Sequence, residues 1–406
     1  MNAPTTTCER IEAAVAALGD APLAEDTLQR HLVPLFSRHK LGFGDRVYLA
    51  NHSLGRPLDA TADDVAEGLS LWYAHQGGAW NAWNAEIHAY RSRLARLLGN
   101  VRADCVVPRT SAGQGLRAVL NTYDRVPRVV ATRGEFDSLD VILREYAARG
   151  RIELAFVEAR AEGLFDLGDI VAGIGARVDL VVVSHVMFNT GQRLDIAPLA
   201  DATHAAGGWL LVDVYHALGV VPVDMTADHA DFAVGGGYKY LRGGPGACFL
   251  WIHPRHLDGG LRTLDIGWFA KDSPFDYTRP DPPRYAPGGD GWMESTPAVL
   301  PFYQARAGLV LTLALGVARI REYSLDRQRR LVDLLAARGV AARGARADHG
   351  AFVVVTDARA KTFAEALRGQ DIVTDARGPY LRLCPDLLTT AEELTRAADA
   401  LARLLA

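Results

Sequence analysis

Between Trp209 and Pro245 the chain reads WLLVDVYHALGVVPVDMTADHADFAVGGGYKYLRGGP. Asp213 closes an apolar run, His216 follows three residues on, and Lys239 lies in a glycine-rich bend after a second apolar segment. A carboxylate and a lysine amine in this order suit pyridoxal phosphate (PLP) chemistry. That cofactor needs an acid against its pyridinium nitrogen and an amine to carry its aldehyde as a Schiff base. The other lysines are Lys40, Lys271 and Lys361, so arginine supplies most of the positive charge. Each of the three residues also has a plainer reading: Asp213 as a turn or helix-capping residue, His216 as a packed histidine, Lys239 as a solvated surface amine. Glycines and aromatics around Lys239 favour the chemical reading, because desolvation lowers an amine's proton affinity and makes it nucleophilic.

Something must hold these residues together. Short β-branched runs (CVVP, RVVAT, IELAFV, DLVVVSHV, GWLLVDV, DFAVGG, ACFLWI) alternate with helical segments such as GLRAVLNTY and IAPLADATHAAG. This alternation predicts an α/β fold with a mainly parallel seven-stranded sheet covered on both faces. Ligands of such sheets bind at the carboxyl ends of strands. Ser184, Asp213 and Lys239 each follow an apolar run and are expected at that edge. Residues 8–38 and Thr61–Leu98 carry helical spacing, and VYLANHSLGRP reads as a strand ending in a turn. Lys271–Trp292, rich in Pro, Gly and Asp, reads as a long loop or domain junction. After Thr296-Pro297 a helical pattern leads to a smaller α+β C-terminal unit, with strands near AFVVVTD and PYLRLC. The expected division is an N-terminal segment (1–45) packing with the small domain, a large cofactor-binding domain (46–300) and a small domain (301–406).

The bulk numbers fit this plan. A chain of 406 residues suggests two domains. With 49% hydrophobic and 23% charged residues and a net charge of -4, it reads as a soluble protein without a nucleic-acid or membrane partner. No apolar run approaches the ~20 residues that span a bilayer, and MNAPTTTCERIEAAVAAL does not look like a secretion signal. Cys8, Cys105, Cys248 and Cys384 are scattered, with no CxxC and no Cys/His spacing. Neither disulfides nor a metal site are expected, and a cytoplasmic location fits.

SHVMFNTG…DIAPLADATHAAGGWLLVDVYHALGVVPVDM…ADFAVGGGYKYLRGGPG resembles the core of the kynureninases. These are PLP enzymes of the fold-type I, class V aminotransferase superfamily. NHSLG (Asn51–Gly55) resembles that family's GNSLG turn. Gly267-Trp268, Ser295–Pro297 and YLRLCPDLLTT resemble further family segments. The resemblance implies that Lys239 bonds the cofactor and Asp213 contacts its ring nitrogen. His216 and Ser184 would line the cofactor, and Tyr238 would reach its phosphate. Phe136 would stack on the ring with Ser138 beside it. PRTSAGQGLRAVL has the form of a phosphate turn opening a helix, with Ala112, Gly113 and Gln114 as contacts. Trp268 and Thr296 would reach the phosphate of a neighbouring subunit, which implies a homodimer with shared active sites. Arg382 would pair with the substrate α-carboxylate, and Asn51 and Ser53 would also meet substrate. Around Phe136 the chain departs from the family pattern: Asp137 stands in place of proline, and Leu139 precedes Asp140.

The activity so implied is hydrolysis of the Cβ–Cγ bond of L-kynurenine, or of a substituted kynurenine, to an anthranilate and L-alanine. Tyr238 would help return a proton to Cβ. A class V aminotransferase or a β-lyase is the alternative, since fold and cofactor do not determine reaction type. A cysteine desulfurase would need a reactive cysteine on a mobile loop, and the four cysteines supply no evident one. A non-catalytic protein on the same fold is disfavoured by the joint presence of Lys239, Asp213 and Arg382. For Arg382 the plain reading is a structural ion pair with a nearby acid.

Overall fold

The apolar runs form strands because their β-branched residues are buried on both sides. In the computed structural model, which describes residues 6–405, strand β1 is Val47–Tyr48 and β2 Val106–Arg109. Then follow β3 (Arg128–Thr132), β4 (Glu153–Val157), β5 (Leu180–Ser184), β6 (Trp209–Asp213), β7 (Phe232–Gly236) and β8 (Cys248–Ile252). The C-terminal unit adds β9 (Val353–Thr356), β10 (Ile372–Val373), β11 (Asp375–Arg377) and β12 (Tyr380–Leu383).

Strands β2 to β8 make one seven-stranded sheet in the order β2-β8-β7-β6-β5-β3-β4. All its pairings are parallel except those of β8, which runs antiparallel to β2 and β7. Every residue of β5, β7 and β8 is buried, as a sheet with helices on both faces requires. Ser184 and Asp213 are register partners at the ends of β5 and β6. The chain leaves β7 at Gly236 and reaches Lys239 three residues later. A Cβ on Gly236 would stand 2.1 Å from the Tyr215 hydroxyl, so the bare backbone there lets that ring lie against the strand end.

The smaller unit carries the antiparallel sheet β11-β12-β9. Its core joins Leu331, Leu335, Val353, Leu381, Leu394 and Leu401. Strand β1 pairs with β10, and Val47 and Leu49 lie in the smaller core. Helix Leu300–Leu315 packs into the main core through Phe302, Ala305, Leu309 and Leu311. The first helix, Thr7–Ala16, also puts Ile11 and Val15 into the main core. Contacts with the C-terminal unit come later in the N-terminal segment, where Glu25 accepts from Arg327 (2.8 Å) and from the Ala391 N–H (3.0 Å). Residues 1–5 and 406, the outermost parts of the expected domains, lie outside the described residues.

Candidate active site

Three parallel strands deliver the polar groups and one helix delivers backbone donors. The cavity above them is lined by Thr110, Ser111, Ala112, Phe136, Ser138 and Ser184. Asp213, Tyr215, His216, Tyr238, Lys239 and Cys248 also line it. Its aromatic walls with a few convergent polar groups suit a cofactor ring.

Lys239 is 5% exposed, so it is not a solvated surface lysine. Its Nζ lies 2.5 Å from His216 Nε2 and 5.3 Å from the centre of the Tyr215 ring. Burial pushes its amine below the ordinary lysine value, against the pull of Asp213. Asp213 is buried, and burial raises its pKa to about 6, against the pull of the Tyr215 N–H and Lys239. Its Oδ1 accepts the Tyr215 N–H at 2.8 Å, a turn-type bond of the kind the plain reading of this residue expects. Among the described residues no other donor reaches the carboxylate, which suits it to a cationic ring nitrogen. His216 is fully enclosed, and burial followed by Lys239 keeps it neutral. Burial pushes the Tyr238 phenol up to about 12, so it holds its proton at neutral pH.

Helix Ala112–Leu120 opens on the same cavity. Ser111 caps it, accepting the Gln114 N–H at 3.2 Å. The first-turn N–H groups of Ala112 and Gly113 have no partner within the helix, which is the arrangement that binds phosphate. Gln114 points elsewhere: its Oε1 accepts from the Thr110 N–H (2.7 Å) and hydroxyl (2.9 Å). Gly113 serves packing, since a Cβ there would come 2.8 Å from Ile142 Cδ1. Free helix N–H groups, an under-satisfied buried acid and a buried amine thus fit pyridoxal phosphate.

Some expected residues stand apart. Trp268 Nε1 donates to Thr296 Oγ1 at 3.3 Å, but neither residue lines the Lys239 cavity. Arg382 also lies outside it and is 2% exposed. Its guanidinium grips Asp375 with two bonds, Nε–Oδ1 at 2.8 Å and Nη2–Oδ2 at 2.6 Å, and donates to the Phe188 carbonyl, a residue of the cavity wall. Ser53 donates to the same Asp375 at 2.5 Å, and the Asn51 amide donates to the Cys384 carbonyl at 2.9 Å. The turn is nevertheless close to the lysine: a Cβ on Gly55 would fall 2.0 Å from the Lys239 carbonyl oxygen. Asp140 bonds Arg144 one helical turn on, at 2.9 Å.

The sequence reading missed Glu135, His52, Asp375, Thr110, Ser111 and Tyr215. Glu135 is buried beneath Ser184, accepting its hydroxyl (2.6 Å) and its N–H (3.2 Å) as well as the Thr132 hydroxyl (2.6 Å). Burial pushes its acid up to about 7 despite those bonds, and Asp213 adds to the rise. Its place one residue before Phe136 was the one available signal. His52 donates to Asp375 across 323 residues of chain, at 2.7 Å, and no local pattern announces such a pair.

The chain is similar to known proteins. The aminotransferase class-V family profile matches residues 73–380. An uncharacterized aminotransferase of Bacillus subtilis is 25% identical over 92% of this chain and 96% of its own length. A kynureninase of Deinococcus radiodurans is 33% identical, over 70% of this chain and 69% of its own. The structure of a cystine C–S lyase in complex with its product cysteine persulfide superposes with a TM-score of 0.80 at 21% identity, covering 89% of this chain and 98% of the lyase chain. With that fold, cofactor site and profile match, the chain belongs to the class V aminotransferase family, as a kynureninase-like, PLP-dependent enzyme of fold-type I.

Proposed function

We propose that this enzyme hydrolyses the Cβ–Cγ bond of L-kynurenine or a ring-substituted kynurenine, giving an anthranilate and L-alanine. The observation that carries the reading is a buried amine, Lys239, facing a cavity walled by Phe136, Phe188, Tyr215 and Tyr238. Such walls suit an aryl ketone, and the similarity to kynureninases supports the choice.

Bound here, pyridoxal phosphate supplies an aldehyde that condenses with amines and a ring that withdraws electrons from Cα. Lys239 would hold the cofactor through its amine and, when that amine is free, would take the Cα proton. Asp213 would hold a proton on the ring nitrogen. Ala112 and its neighbours would hold the phosphate, and Phe136, Ser184 and Ser138 would line the cofactor. Arg382, held by Asp375, offers its remaining Nη hydrogens to the substrate carboxylate. Water would add to the γ-carbonyl, the Cβ–Cγ bond would then break with its electron pair passing to Cβ as the anthranilate leaves, and Tyr238, still protonated, would give a proton to Cβ.

A desulfurase reading is disfavoured by Cys248, the cysteine that lines the cavity. Its thiol is 2.8 Å from the Tyr215 hydroxyl, and burial raises its pKa, the reverse of a reactive thiolate. Transamination is the second reading, favoured by the full-length similarity to an aminotransferase. Incubating the holoenzyme with L-kynurenine and 3-hydroxykynurenine separates them. Fluorescent anthranilates with equimolar alanine are expected; a 2-oxo acid formed only when a second 2-oxo acid is supplied would establish transamination instead.

The enzyme is further read as a cytoplasmic homodimer. Among the described residues no single helix is long and apolar enough to cross a membrane, and the cysteines are free. Trp268 lies in an aromatic cluster with Phe269, Phe275 and Tyr277, the last 70% exposed. A second subunit would cover these rings and bring Trp268 and Thr296 toward its cofactor phosphate. Mixing a Lys239→Ala protein with a Trp268/Thr296 double variant is expected to restore activity in the heterodimer, and an inactive heterodimer would refute the shared site.

A further inference from the structure

Behind Lys239, at the seam between the two units, lie two buried histidines whose roles the reaction above leaves unused. His216 Nε2 is 2.5 Å from Lys239 Nζ. His52 Nε2 is 2.7 Å from Asp375 Oδ1. The two imidazole rings are tilted by 30°, with centroids 6.4 Å apart, and the Nδ1 atom of each is buried with no partner among the described residues. Both rings are at most 5% exposed.

The outer bonds decide the tautomers. Asp375 is held ionised well below the usual carboxylate range: burial would raise it, but His52 and Arg382 overcome that. An ionised carboxylate only accepts, so His52 Nε2 must carry the hydrogen. Burial, then Arg382, hold His52 neutral, with its pKa down to about 4. Its Nδ1 is therefore an acceptor. On the other ring the order is reversed. A lysine that has taken up a proton can only donate, so His216 Nε2 accepts and its hydrogen sits on Nδ1. The two unpartnered nitrogens are thus one donor and one acceptor, on rings whose centroids lie 6.4 Å apart.

We propose that His52, anchored by Asp375, is a positioning residue for Lys239. Acting through His216, it selects the imidazole tautomer that presents a lone pair to the amine. This rests on Lys239 being the cofactor-bonding and proton-accepting lysine. The consequence is a more basic Lys239, because an acceptor at Nζ stabilises the ammonium. Around the same amine stand Asp213 from β6 and Arg382, Asp375 and Arg377 from the C-terminal sheet. His52→Gln leaves all four in place, and its amide nitrogen can keep the bond to Asp375 while the Nδ1 acceptor is lost.

The test measures how fast the full-length protein, stripped of cofactor, takes up pyridoxal phosphate across a pH range, followed by visible absorbance. The free amine is the nucleophile, so the midpoint of the profile reports Lys239. The proposal expects His52→Gln to shift the midpoint down by about half to one pH unit, with an unchanged melting temperature. Nitrogen-15 NMR of histidine-labelled wild-type protein in the protonated range is the second measurement, and it needs no variant to fold. It should find hydrogen on Nδ1 of His216 and on Nε2 of His52. An unmoved midpoint in a folded variant, or the opposite tautomer on His216, overturns the proposal alone. Borohydride reduction that labels a lysine other than Lys239 overturns the site reading and this proposal with it.

Discussion

Two buried aspartates stand at opposite ends of the same strand pair. Asp213 closes β6, and Asp231 immediately precedes β7, which pairs with it. They are 5% and 0% exposed. Asp231 accepts from the Leu210 N–H (2.8 Å), His204 (2.8 Å), His256 (2.5 Å) and Arg255 (Nε, 3.1 Å). Burial would raise it, but these donors overcome that and bring it down to about 2. Asp213 has one backbone donor, and burial wins. The same residue type at the same burial is a structural tie where the chain satisfies it, and stays available to a ligand where the chain leaves it short of donors.

The largest expected effect breaks the functional end. Lys239→Ala should lower turnover by about 10³-fold or more, and borohydride should then fix no cofactor to the chain. Asp213→Asn should lower Cα-proton removal by about 10²–10³-fold, read by solvent-isotope exchange at Cα. The cofactor-free protein should not suffer from Asp213→Asn at neutral pH, since a neutral amide relieves a buried charge.

Asp231→Asn should do the reverse. Turnover per folded molecule should hold, while stability falls by about 2 kcal/mol. A loss of turnover without a loss of stability would erase the distinction between the two ends.

The pH dependence sharpens it further. Asp231 has a folded pKa below its unfolded value, so its contribution is full above about pH 4 and fades as pH falls toward 2. Melting curves of wild type and Asp231→Asn should converge over that window. Asp213 is raised, so its contribution is present below the unfolded carboxylate range and is lost as pH rises through its folded value. In the cofactor-free protein, Asp213→Asn should therefore gain relative stability with rising pH.

Arg382→Lys is the smallest test, at a third acid that is tied by an arginine. A lysine cannot reproduce the two-bond grip on Asp375, so stability should fall by about 1 kcal/mol. A lower kcat/KM is expected alongside it. Unchanged stability would mean that Asp375 does not depend on the fork, and unchanged kcat/KM would mean that Arg382 does not meet substrate.

Cofactor class and sheet were legible in the sequence because both are local. The apolar runs ending in Ser184 and Asp213, and the glycine-rich bend at Lys239, each declare a strand and its polar tip within a few residues. Parallel strands then bring such tips to one edge without further information. Domain boundaries were less legible, because Val47, Leu49 and helix Leu300–Leu315 are apolar in a way that suits either core. Arg382 meets Asp375 across the β11–β12 pair, seven residues along the chain, but only the tertiary structure decided that His52 and Ser53 share that acid and that Glu135 lies beneath Ser184. These last are polar side chains from separate segments. Their partners are set by which surfaces come together when the chain packs, and periodicity along the chain carries no record of that.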